Sequence, residues 1–481
     1  MKLHTLFADQ ALLAPPDWIT PAELAGVARD SRLVGAGQAY VAQAATSERR
    51  THIAEARRRG AALIISEDEP TAGMLRTAHA RWAFARASCA AHGCDTLPFP
   101  LVAATGTKGK STITHLAWWA LGAGAARIGT IGWHDGVGER PNTQTTPPPE
   151  ELHAFLAGLP TTCPGVAFEA SSHGLDQHRL AGLQLAGLAV SNLGHDHLDY
   201  HGSQAAYVHA KLRAARLLRT DGLCVINADD EGCHLFAHAA QAASARVIAL
   251  SVGRGGHPHV PGAESATVFR RGPSWVLDAP GEEVDLPVML PGGFNAWNAA
   301  SAVLLAHAAG VPLHTAAERM ADAPAVPGRL ELLAQCPATY VDYAHTSESL
   351  AAAIQALRET LPGKRLIVTF GCGGDRDRSK RPLMGAAATT ADAIVLTNDN
   401  PRSENPDAII AEIRAGFPVG QISHVELDRG RAIALARALA GPDGVVLVAG
   451  KGHESEQKFH DRTVPWDDRA FVRGLATGSR S

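Results

Sequence analysis

Short apolar runs separated by helix-length, Ala-rich segments recur along most of this chain. The runs between residues 100 and 251 are LVAAT, VAFEAS, LAVSNL, LCVINA and RVIALS; those after residue 337 are ATYVDYAH, RLIVTFGCGG, AIVLTNDNP and GVVLVAGKGH. Continuous apolar runs of this length are typical of strands covered on both faces of a sheet. Their alternation with helices predicts α/β architecture with doubly wound sheets. Earlier, ERRTHIAEARRRG predicts a helix that stops at glycine, and AALIIS predicts a strand.

Breaks in this pattern divide the chain into three predicted domains. A length of 481 residues fits three domains of about 150 residues each. The pattern changes near Pro98, where an apolar strand runs into a Gly-rich turn, and the segment VPGRLE supplies a Pro-Gly break near residue 327. We therefore predict a small N-terminal α/β domain at 1–97, a central α/β domain at 98–326, and a Rossmann-like C-terminal domain at 327–481.

Composition narrows the class of protein. The formal net charge of −4 argues against an extended nucleic-acid surface, and 46% hydrophobic residues fit a folded, globular chain. The seven cysteines show no C-x-x-C pair, which favours reduced thiols and a cytoplasmic location. The N-terminus lacks the features of a signal peptide. The longest uncharged stretch, 288–317, is interrupted by Pro291, Gly292 and Pro312, so no membrane span is expected.

A candidate phosphate-binding loop opens the central domain. ATGTKGKS, residues 104–111, has the spacing of a phosphate loop with alanine in its first glycine position. Gly106 and Gly109 would let backbone N–H groups face a phosphate at a helix N-terminus. Lys110 would reach the β- and γ-phosphates of ATP or GTP, and Ser111 would ligate Mg²⁺. The alternative is an ordinary Gly-rich turn between strand and helix.

Acidic and histidine side chains cluster after two later strands of this domain. Glu169 ends one strand, and SNLGHDHLDYHG follows the next, with His195, Asp196, His197, Asp199 and His201. One interpretation is a zinc hydrolase, but the last histidine stands one position too late for that motif. The second is Mg²⁺ held by one carboxylate, one imidazole and ATP oxygens. The third is a solvated loop, above all for His195 and His201.

The C-terminal domain places polar residues after its strands. Asp342, Arg376, Arg402 and Glu454 lie at or beyond the carboxyl ends of four predicted strands. Open α/β sheets bind ligands at that edge. The pattern therefore predicts a binding site there.

Taken in order, nine motifs resemble the Mur ligases of peptidoglycan synthesis. They are TGTKGKST, FEASSHGLDQHRL, SNLGHDHLDYHG, PGGFNAWN, VPGRLE, VDYAHT, GCGGDRDRSKRP, DNPRSENP and AGKGHE. The match spans roughly residues 100–460 and is strongest to the members that add the third residue of the peptide. It implies an N-terminal UDP-substrate domain, a central ATPase domain and a C-terminal amino-acid domain. It also implies that ATP activates a carboxylate as an acyl phosphate, which the amine of meso-diaminopimelate attacks.

The resemblance also assigns residues around ATP and two Mg²⁺ ions. Lys110 and Ser111 would hold the phosphates and the first ion, while Glu169 and His197 resemble metal ligands. Lys211 matches the lysine that the family carbamylates for the second ion, although its own sequence context predicts a surface helix residue. The remaining nucleotide-binding positions are Gly106, Thr107, Lys108, Gly109, Thr112, Asn298 facing adenine, Arg329 contacting phosphate and Asp342 binding ribose.

Two further sets match the substrate-binding positions of the family. The UDP-muramoyl-dipeptide would contact Ser31, Thr145, Thr146, Ser171, Gln177 and Arg179. The amino acid would contact Arg376, Asp399, Asn400, Arg402, Gly450 and Glu454. Arg402 argues for diaminopimelate, because its guanidinium can clamp the second carboxylate that lysine lacks. Glu454 would accept the distal ammonium group.

Departures from the family pattern leave other functions open. Lys108 stands where asparagine is commoner, and DSRLVGAGQAYVAQAATSERRTHI lacks a Gly-rich stretch after its strand. One alternative is a paralogue that joins an amino acid to a different carboxylate. Another is a catalytically silent nucleotide-binding scaffold. In each case we expect small-molecule partners, no nucleic acid and a monomer.

Overall fold

The computed structural model describes residues 24–68, 71, 73–140, 144–253, 259–421 and 423–477. Its N-terminal sheet is parallel, with strand order β1-β2-β3-β4. The strands are β1 Val27–Ala28, β2 Ala39–Val41, β3 Leu63–Ser66 and β4 Met74–Arg76. Helices α1 Thr46–Arg58 and α2 Ala80–Ala91 accompany them. Helix α1 and strand β3 lie where the ERRTHIAEARRRG and AALIIS patterns predict them.

The central sheet is parallel in its middle and antiparallel at both ends. Its order is β15-β14-β13-β12-β11-β10-β5-β9-β6-β7-β8. The parallel strands are β5 Leu101–Thr105, β6 Ala126–Gly129, β9 Val166–Glu169, β10 Leu185–Val190, β11 Leu218–Asn227, β12 Arg246–Val252 and β13 Glu264–Arg271. Antiparallel strands β7 Gly132–His134, β8 Glu139–Arg140, β14 Ser274–Ala279 and β15 Glu282–Leu286 extend the two edges.

The α-helices of this part of the chain lie between its strands and after β15. They are α3 Lys110–Leu121, α4 Pro149–Ala157, α5 Ser172–Asp176, α6 Leu198–His201, α7 Gln204–Leu212, α8 His234–Ala242, α9 Gly293–Ala308 and α10 Leu313–Glu318. The apolar strands β5, β9 and β10 are buried along their whole length. Polar loops at their carboxyl ends are therefore carried on a rigid base.

The C-terminal sheet has the order β16-β17-β21-β18-β19-β20. Strand β16 Glu331–Gln335 is antiparallel, whereas β17 Ala338–Asp342, β18 Leu366–Phe370, β19 Ala393–Leu396, β20 Ser423–Val425 and β21 Val445–Ala449 are parallel. The hairpin β22 Glu456–Lys458 and β23 Thr463–Pro465 follows. The helices are α11 Ser347–Thr360, α12 Lys380–Ala388, α13 Pro406–Arg414, α14 Arg429–Ala440 and α15 Asp468–Ala476. Helices α11 to α14 lie between the parallel strands, as the alternation of apolar runs with helix-length segments predicts.

The chain divides into two compact units. Unit 1 comprises the described residues up to 286 together with 298–320, and unit 2 comprises 287–297 and the described residues from 321 onward. The predicted α/β class with several parallel sheets is confirmed, while the three domain boundaries stay a prediction. Among the residues that the structure describes, no helix combines the length and apolarity needed to cross a bilayer. All seven cysteines lie in the described ranges and are free thiols.

Candidate functional site

The phosphate loop runs from strand β5 into helix α3 with two glycines in conformations that other residues rarely adopt. Gly106 has φ +142°, and a Cβ there would lie 2.0 Å from Ser191 Oγ. Gly109 has φ +87°, and its Cβ would lie 2.9 Å from Asn298 Oδ1. Both positions require glycine, because the loop backbone is pressed against neighbouring side chains. The loop conformation is thereby fixed before any ligand binds.

The side chain of Lys110 folds back onto this loop. Lys110 Nζ donates to the carbonyl oxygens of Gly106 at 2.9 Å and Thr107 at 3.1 Å. Ser111 and Thr112, in the first turn of α3, are buried. The first backbone N–H groups of a helix have no partner within it, so this end of α3 can bind phosphate. Lys108 is held by its backbone N–H, which donates to Asn192 Oδ1 at 2.9 Å.

Lys211 lies underneath the same loop. Its side chain, on α7, is 1% exposed, and Nζ donates to Gly106 O at 2.6 Å. The expectation of a surface lysine is therefore wrong, because α7 packs the residue inward. Burial, reinforced by the nearby charge of Lys110, lowers the pKa of Lys211 well below its usual value. The Tyr207 ring lies 4.9 Å from Nζ, and its hydroxyl is 2.8 Å from Thr107 Oγ1.

Glu169 is buried at the carboxyl end of β9, whereas His197 is half-exposed. Glu169 Oε1 accepts a hydrogen bond from Thr130 N at 2.7 Å, and Oε2 accepts one from Thr130 Oγ1 at 3.2 Å. His197 has φ +54° and immediately precedes α6. These two residue types suit a Mg²⁺ ion that takes its remaining ligands from phosphate and water.

The histidines near His197 do not form a closed metal cage. Among the described residues, no group of three His, Cys, Asp or Glu side chains is placed to hold a metal ion. The rings of His173 and His197 instead pack edge to face with centroids 4.7 Å apart, and His201 lies 5.6 Å from His173. This arrangement gives no support to the zinc-hydrolase alternative, which needs such a cage.

Thr145 and Thr146 have different environments. Thr145 Oγ1 lies 2.9 Å from Thr130 Oγ1, next to the Glu169 carboxylate. Thr146 is buried; its hydroxyl donates to Glu169 O at 2.7 Å and accepts from Ser171 N at 3.0 Å. Ser171 Oγ in turn accepts from Gly174 N and caps α5. Thr146 and Ser171 thus fix the loops on which the predicted acceptor contacts depend.

An arginine-lined cavity of about 200 Å³ lies beside these loops in unit 1. The guanidinium of Arg179 donates to Gln177 Oε1 at 2.8 Å and to Gln144 Oε1. Burial and the charge of Arg29 lower the pKa of Arg179. Ser31, predicted to bind the same substrate, is 5% exposed. The residues lining the cavity are Arg29, Gln43, Arg81, Phe84, Gln144, Pro148, Pro149, Gln177 and Arg179.

In unit 2, the loops after β18 and β19 pack directly against each other. A Cβ on Gly374 would lie 1.8 Å from Pro401 O, so the contact is between backbones. Arg402 has φ +51°, and its Nη1 donates to Gly374 O at 2.6 Å. Arg376, on the facing loop, is exposed. The structure therefore brings the predicted diaminopimelate residues Arg376 and Arg402 onto adjoining loops.

The loop after β21 completes this cluster. Gly450 has φ +111°, and a Cβ there would lie 2.8 Å from Asp399 Oδ2. Glu454 Oε2 accepts from Asn400 Nδ2 at 3.1 Å and from Lys451 Nζ at 2.9 Å. Four of the predicted amino-acid contacts thus lie together. The sequence analysis missed Lys451, which stands inside the AGKGHE motif.

Asp342 and Arg329, predicted to bind ATP, have contacts of their own in unit 2. Asp342 Oδ2 accepts from Leu330 N, and Oδ1 accepts from Ala344 N, both at 2.7 Å. The Arg329 guanidinium stacks over the Tyr343 ring at 4.6 Å. Asp342 therefore fixes the turn that carries Arg329, and the ribose and phosphate contacts stay predictions.

Comparison with known proteins identifies the family. The chain matches the model of the Mur ligase middle domain over residues 104–306 and that of the Mur ligase glutamate ligase domain over 328–452. It is 38% identical over 473 residues to the UDP-N-acetylmuramoyl-L-alanyl-D-glutamate–2,6-diaminopimelate ligase of Brucella melitensis, covering 94% of this chain and 93% of that protein. The chain belongs to the Mur ligase family. The resemblance to the Mur ligases that the nine sequence motifs indicate is thereby confirmed.

Two further relatives of this Mur ligase carry the same name. The Alkalilimnicola ehrlichii protein is 42% identical over 399 residues, covering 79% of this chain and 77% of its own. A solved structure with that name is 31% identical, covers 97% of each chain and has a TM-score of 0.71. The prediction that the chain is an enzyme of the amide-ligase class is confirmed by these matches.

A Mur ligase needs no acyl-enzyme nucleophile, and the cysteine beside the C-terminal pocket fits that chemistry. Cys372 is 4% exposed, and burial raises the pKa of its thiol to about 12. Its sulfur lies 3.5 Å from Met384 Sδ. A thiol that stays protonated in an apolar setting packs rather than attacks.

Proposed function

We propose that this Mur ligase joins meso-diaminopimelate to the D-glutamate of UDP-N-acetylmuramoyl-L-alanyl-D-glutamate, with conversion of ATP to ADP and phosphate, in peptidoglycan synthesis. The D-glutamate carboxylate takes the γ-phosphate of ATP, and the amine of diaminopimelate then displaces phosphate to form the amide. The names of the relatives support these substrates. The three reactants would be bound and oriented by residues described above.

The observation that carries the proposal is the convergence of two lysines on one loop carbonyl. Lys110 and Lys211 both donate to Gly106 O, at 2.9 and 2.6 Å. Lys110 is placed to reach phosphate oxygens from the loop that it already covers. A silent scaffold has no need for a second lysine buried at this position, because burying a cation is costly.

The lowered pKa of Lys211 supports its carbamylation. Burial favours the neutral amine, and only a neutral amine can add carbon dioxide. The product is an anion, so the buried group would change from a cation donor to an oxygen ligand. Together with Ser111, Glu169 and His197 it would hold Mg²⁺, which when bound neutralises phosphate charge during transfer.

Two pockets fit the remaining substrates. The cavity lined by Arg29, Arg81 and Arg179 suits an anion such as the diphosphate of the UDP-sugar, since guanidinium groups pair with phosphate. In unit 2, Arg402 and Glu454 supply one partner for the distal carboxylate and one for the distal ammonium of diaminopimelate. Lysine, which lacks that carboxylate, would leave Arg402 without its partner.

Phosphate release in a substrate panel tests the proposal. Purified protein with Mg²⁺, bicarbonate and ATP is given the UDP-muramoyl-dipeptide and, in turn, diaminopimelate, lysine or another amino acid. We expect release with diaminopimelate, and none from Lys110→Ala under the same conditions. No release with any amino acid would contradict the assignment and favour a paralogue that uses a different carboxylate acceptor.

We also propose that the enzyme is a cytoplasmic monomer. The substrates are small molecules, and none of the proposed contacts requires a second copy of the chain. Light scattering coupled to size exclusion measures the mass in solution. A stable dimer would overturn this part of the proposal.

A further inference from the structure

A fully buried lysine joins two of the three loops that carry the proposed diaminopimelate contacts. Lys451 is 0% exposed. Its Nζ donates to Glu454 Oε2 at 2.9 Å and to Asn400 Oδ1 at 3.1 Å. Asn400 follows β19 and Glu454 follows β21, so the ammonium group links separate loops. A buried cation is retained only when its partners compensate for lost hydration.

The backbone explains why the lysine points inward. Gly450 and Gly452, on either side of it, have φ +111° and +54°. A Cβ on Gly452 would lie 2.7 Å from Tyr343 Cβ. The loop is therefore packed tightly onto the end of β17, and Glu454 N donates back to Lys451 O at 3.0 Å. This turn sets Lys451 and Glu454 side by side.

The hydrogen bonds also fix the orientation of the Asn400 amide. Its Oδ1 accepts from Lys451 Nζ and from the backbone N–H of Lys458 at 3.0 Å, while its Nδ2 donates to Glu454 Oε2 at 3.1 Å. Reversing the amide would set its NH₂ group against two donors. Glu454 Oε2 consequently receives two donors, and among the described residues none donates to Oε1.

Electrostatic interactions also favour a Glu454 carboxylate that is ionised and held by Lys451. Burial alone would raise the pKa of Glu454, but the charge of Lys451 and the hydrogen bonds from Lys451 and Asn400 outweigh it and lower that pKa. The carboxylate therefore stays ionised beside Asp399, which is also close to Lys451. An ionised Glu454 with one committed oxygen can present the other to an ammonium group.

We propose that Lys451 is a positioning residue that sets the specificity for diaminopimelate: it holds Glu454 and Asn400 so that Glu454 Oε1 faces the distal ammonium group of the amino acid. The inference rests on the proposed function. Lys451 makes no contact with substrate in this account and acts through Glu454.

Steady-state kinetics of Lys451→Met test the role. Losing a hydrogen bond between charged groups should raise the KM for diaminopimelate about tenfold to a hundredfold. The kcat and the KM for ATP should each stay within about threefold, since a positioning residue for this pocket alters binding of one substrate. The control is Lys364→Met, an exposed lysine of the same unit, which should leave all parameters unchanged.

A double-mutant cycle with Glu454→Gln separates positioning from general damage. If Lys451 acts through Glu454, adding Lys451→Met to Glu454→Gln should change the KM for diaminopimelate by less than about twofold. An undiminished effect in that background, or an equal rise in the KM for ATP, overturns the inference.

The wild-type enzyme distinguishes failure of the inference from failure of the proposed function. No phosphate release with any amino acid refutes both, whereas normal diaminopimelate kinetics in Lys451→Met refute only the inference. If that variant does not fold, a crystal structure of the wild type with diaminopimelate decides. A hydrogen bond from Lys451 to Glu454, with no contact between Lys451 and the substrate, supports the positioning role. A direct contact between Lys451 and the substrate contradicts it.

Discussion

The buried ion pair between Arg429 and Asp468 ties the C-terminal helix to the sheet of unit 2. Arg429 is 2% exposed and Asp468 is 0% exposed. Nε donates to Oδ1 and Nη2 to Oδ2, both at 2.7 Å, and Trp466 Nε1 donates to Oδ1 at 2.7 Å. Arg429 also donates to the carbonyls of Asn398 and Ala449, each at 3.0 Å. These carbonyls lie at the strand ends from which the pocket loops start.

Asp468→Asn should destabilise this unit strongly while changing few atoms. The amide keeps the shape but leaves the buried Arg429 charge without its ion-pair partner, which costs about 3–5 kcal/mol. For a unit of this size, each kcal/mol lowers Tm by roughly 2–4 °C, so a fall of roughly 6–20 °C is expected. Calorimetry measures the shift, and hydrogen exchange of residues 429–440 assigns it to unit 2.

A matched substitution and a double variant test the reasoning. Glu456→Gln removes a carboxylate whose partner Lys458 is 48% exposed, and such surface pairs contribute about 0–1 kcal/mol. Arg429→Met combined with Asp468→Asn should be more stable than Asp468→Asn alone, because no charge is then stranded. The buried-charge argument would be refuted if the Tm of Asp468→Asn equalled that of Glu456→Gln. It would also be refuted if the double variant were no more stable than Asp468→Asn.

Three further predictions concern the proposed substrate sites. Gly106→Ala would place a methyl group 2.0 Å from Ser191 Oγ and should abolish ATP binding in calorimetric titrations. The control is Gly138→Ala, whose methyl group would meet no atom within 4 Å and which should bind ATP normally. Lys211→Met keeps the buried volume but removes the amine, so the rate of phosphate release should fall by roughly 100-fold or more. The thermal stability of the variant should be unchanged. Activity near that of the wild type would exclude a carbamate on Lys211. Arg402→Ala should raise the KM for diaminopimelate about tenfold to a hundredfold, and an equal rise for ATP would argue against the carboxylate clamp.

Much of the fold could be predicted because local signals agree with the tertiary structure. The phosphate loop lies between β5 and α3 because its glycine spacing dictates the turn. The helix starts at Ser347 and Pro406 follow from the caps Thr346 and Asn405, whose side chains accept from backbone N–H groups. Both are short-range effects that a sequence pattern records directly.

Other features depend on contacts between distant residues. Lys211 meets Gly106, 105 residues earlier in the chain, so nothing in its neighbours indicates burial, and only the family resemblance singled it out. Lys451 was missed because one of the contacts that bury it is with Asn400, 51 residues earlier in the chain. The antiparallel strands β14 and β15 could not be predicted from continuous apolar runs, because they have none. The alternation in EEVDL, buried at Val284 and Leu286, is the signal that could have revealed them.

Identification of the reaction product tests the central claim most directly. The protein is incubated with ATP, Mg²⁺, bicarbonate, UDP-N-acetylmuramoyl-L-alanyl-D-glutamate and an equimolar mixture of diaminopimelate and lysine, and the products are separated and weighed by mass spectrometry. The account predicts that the acceptor gains one diaminopimelate with loss of one water, and that ADP and phosphate form in equal amounts. An unchanged acceptor, or an acceptor that carries lysine, would contradict it.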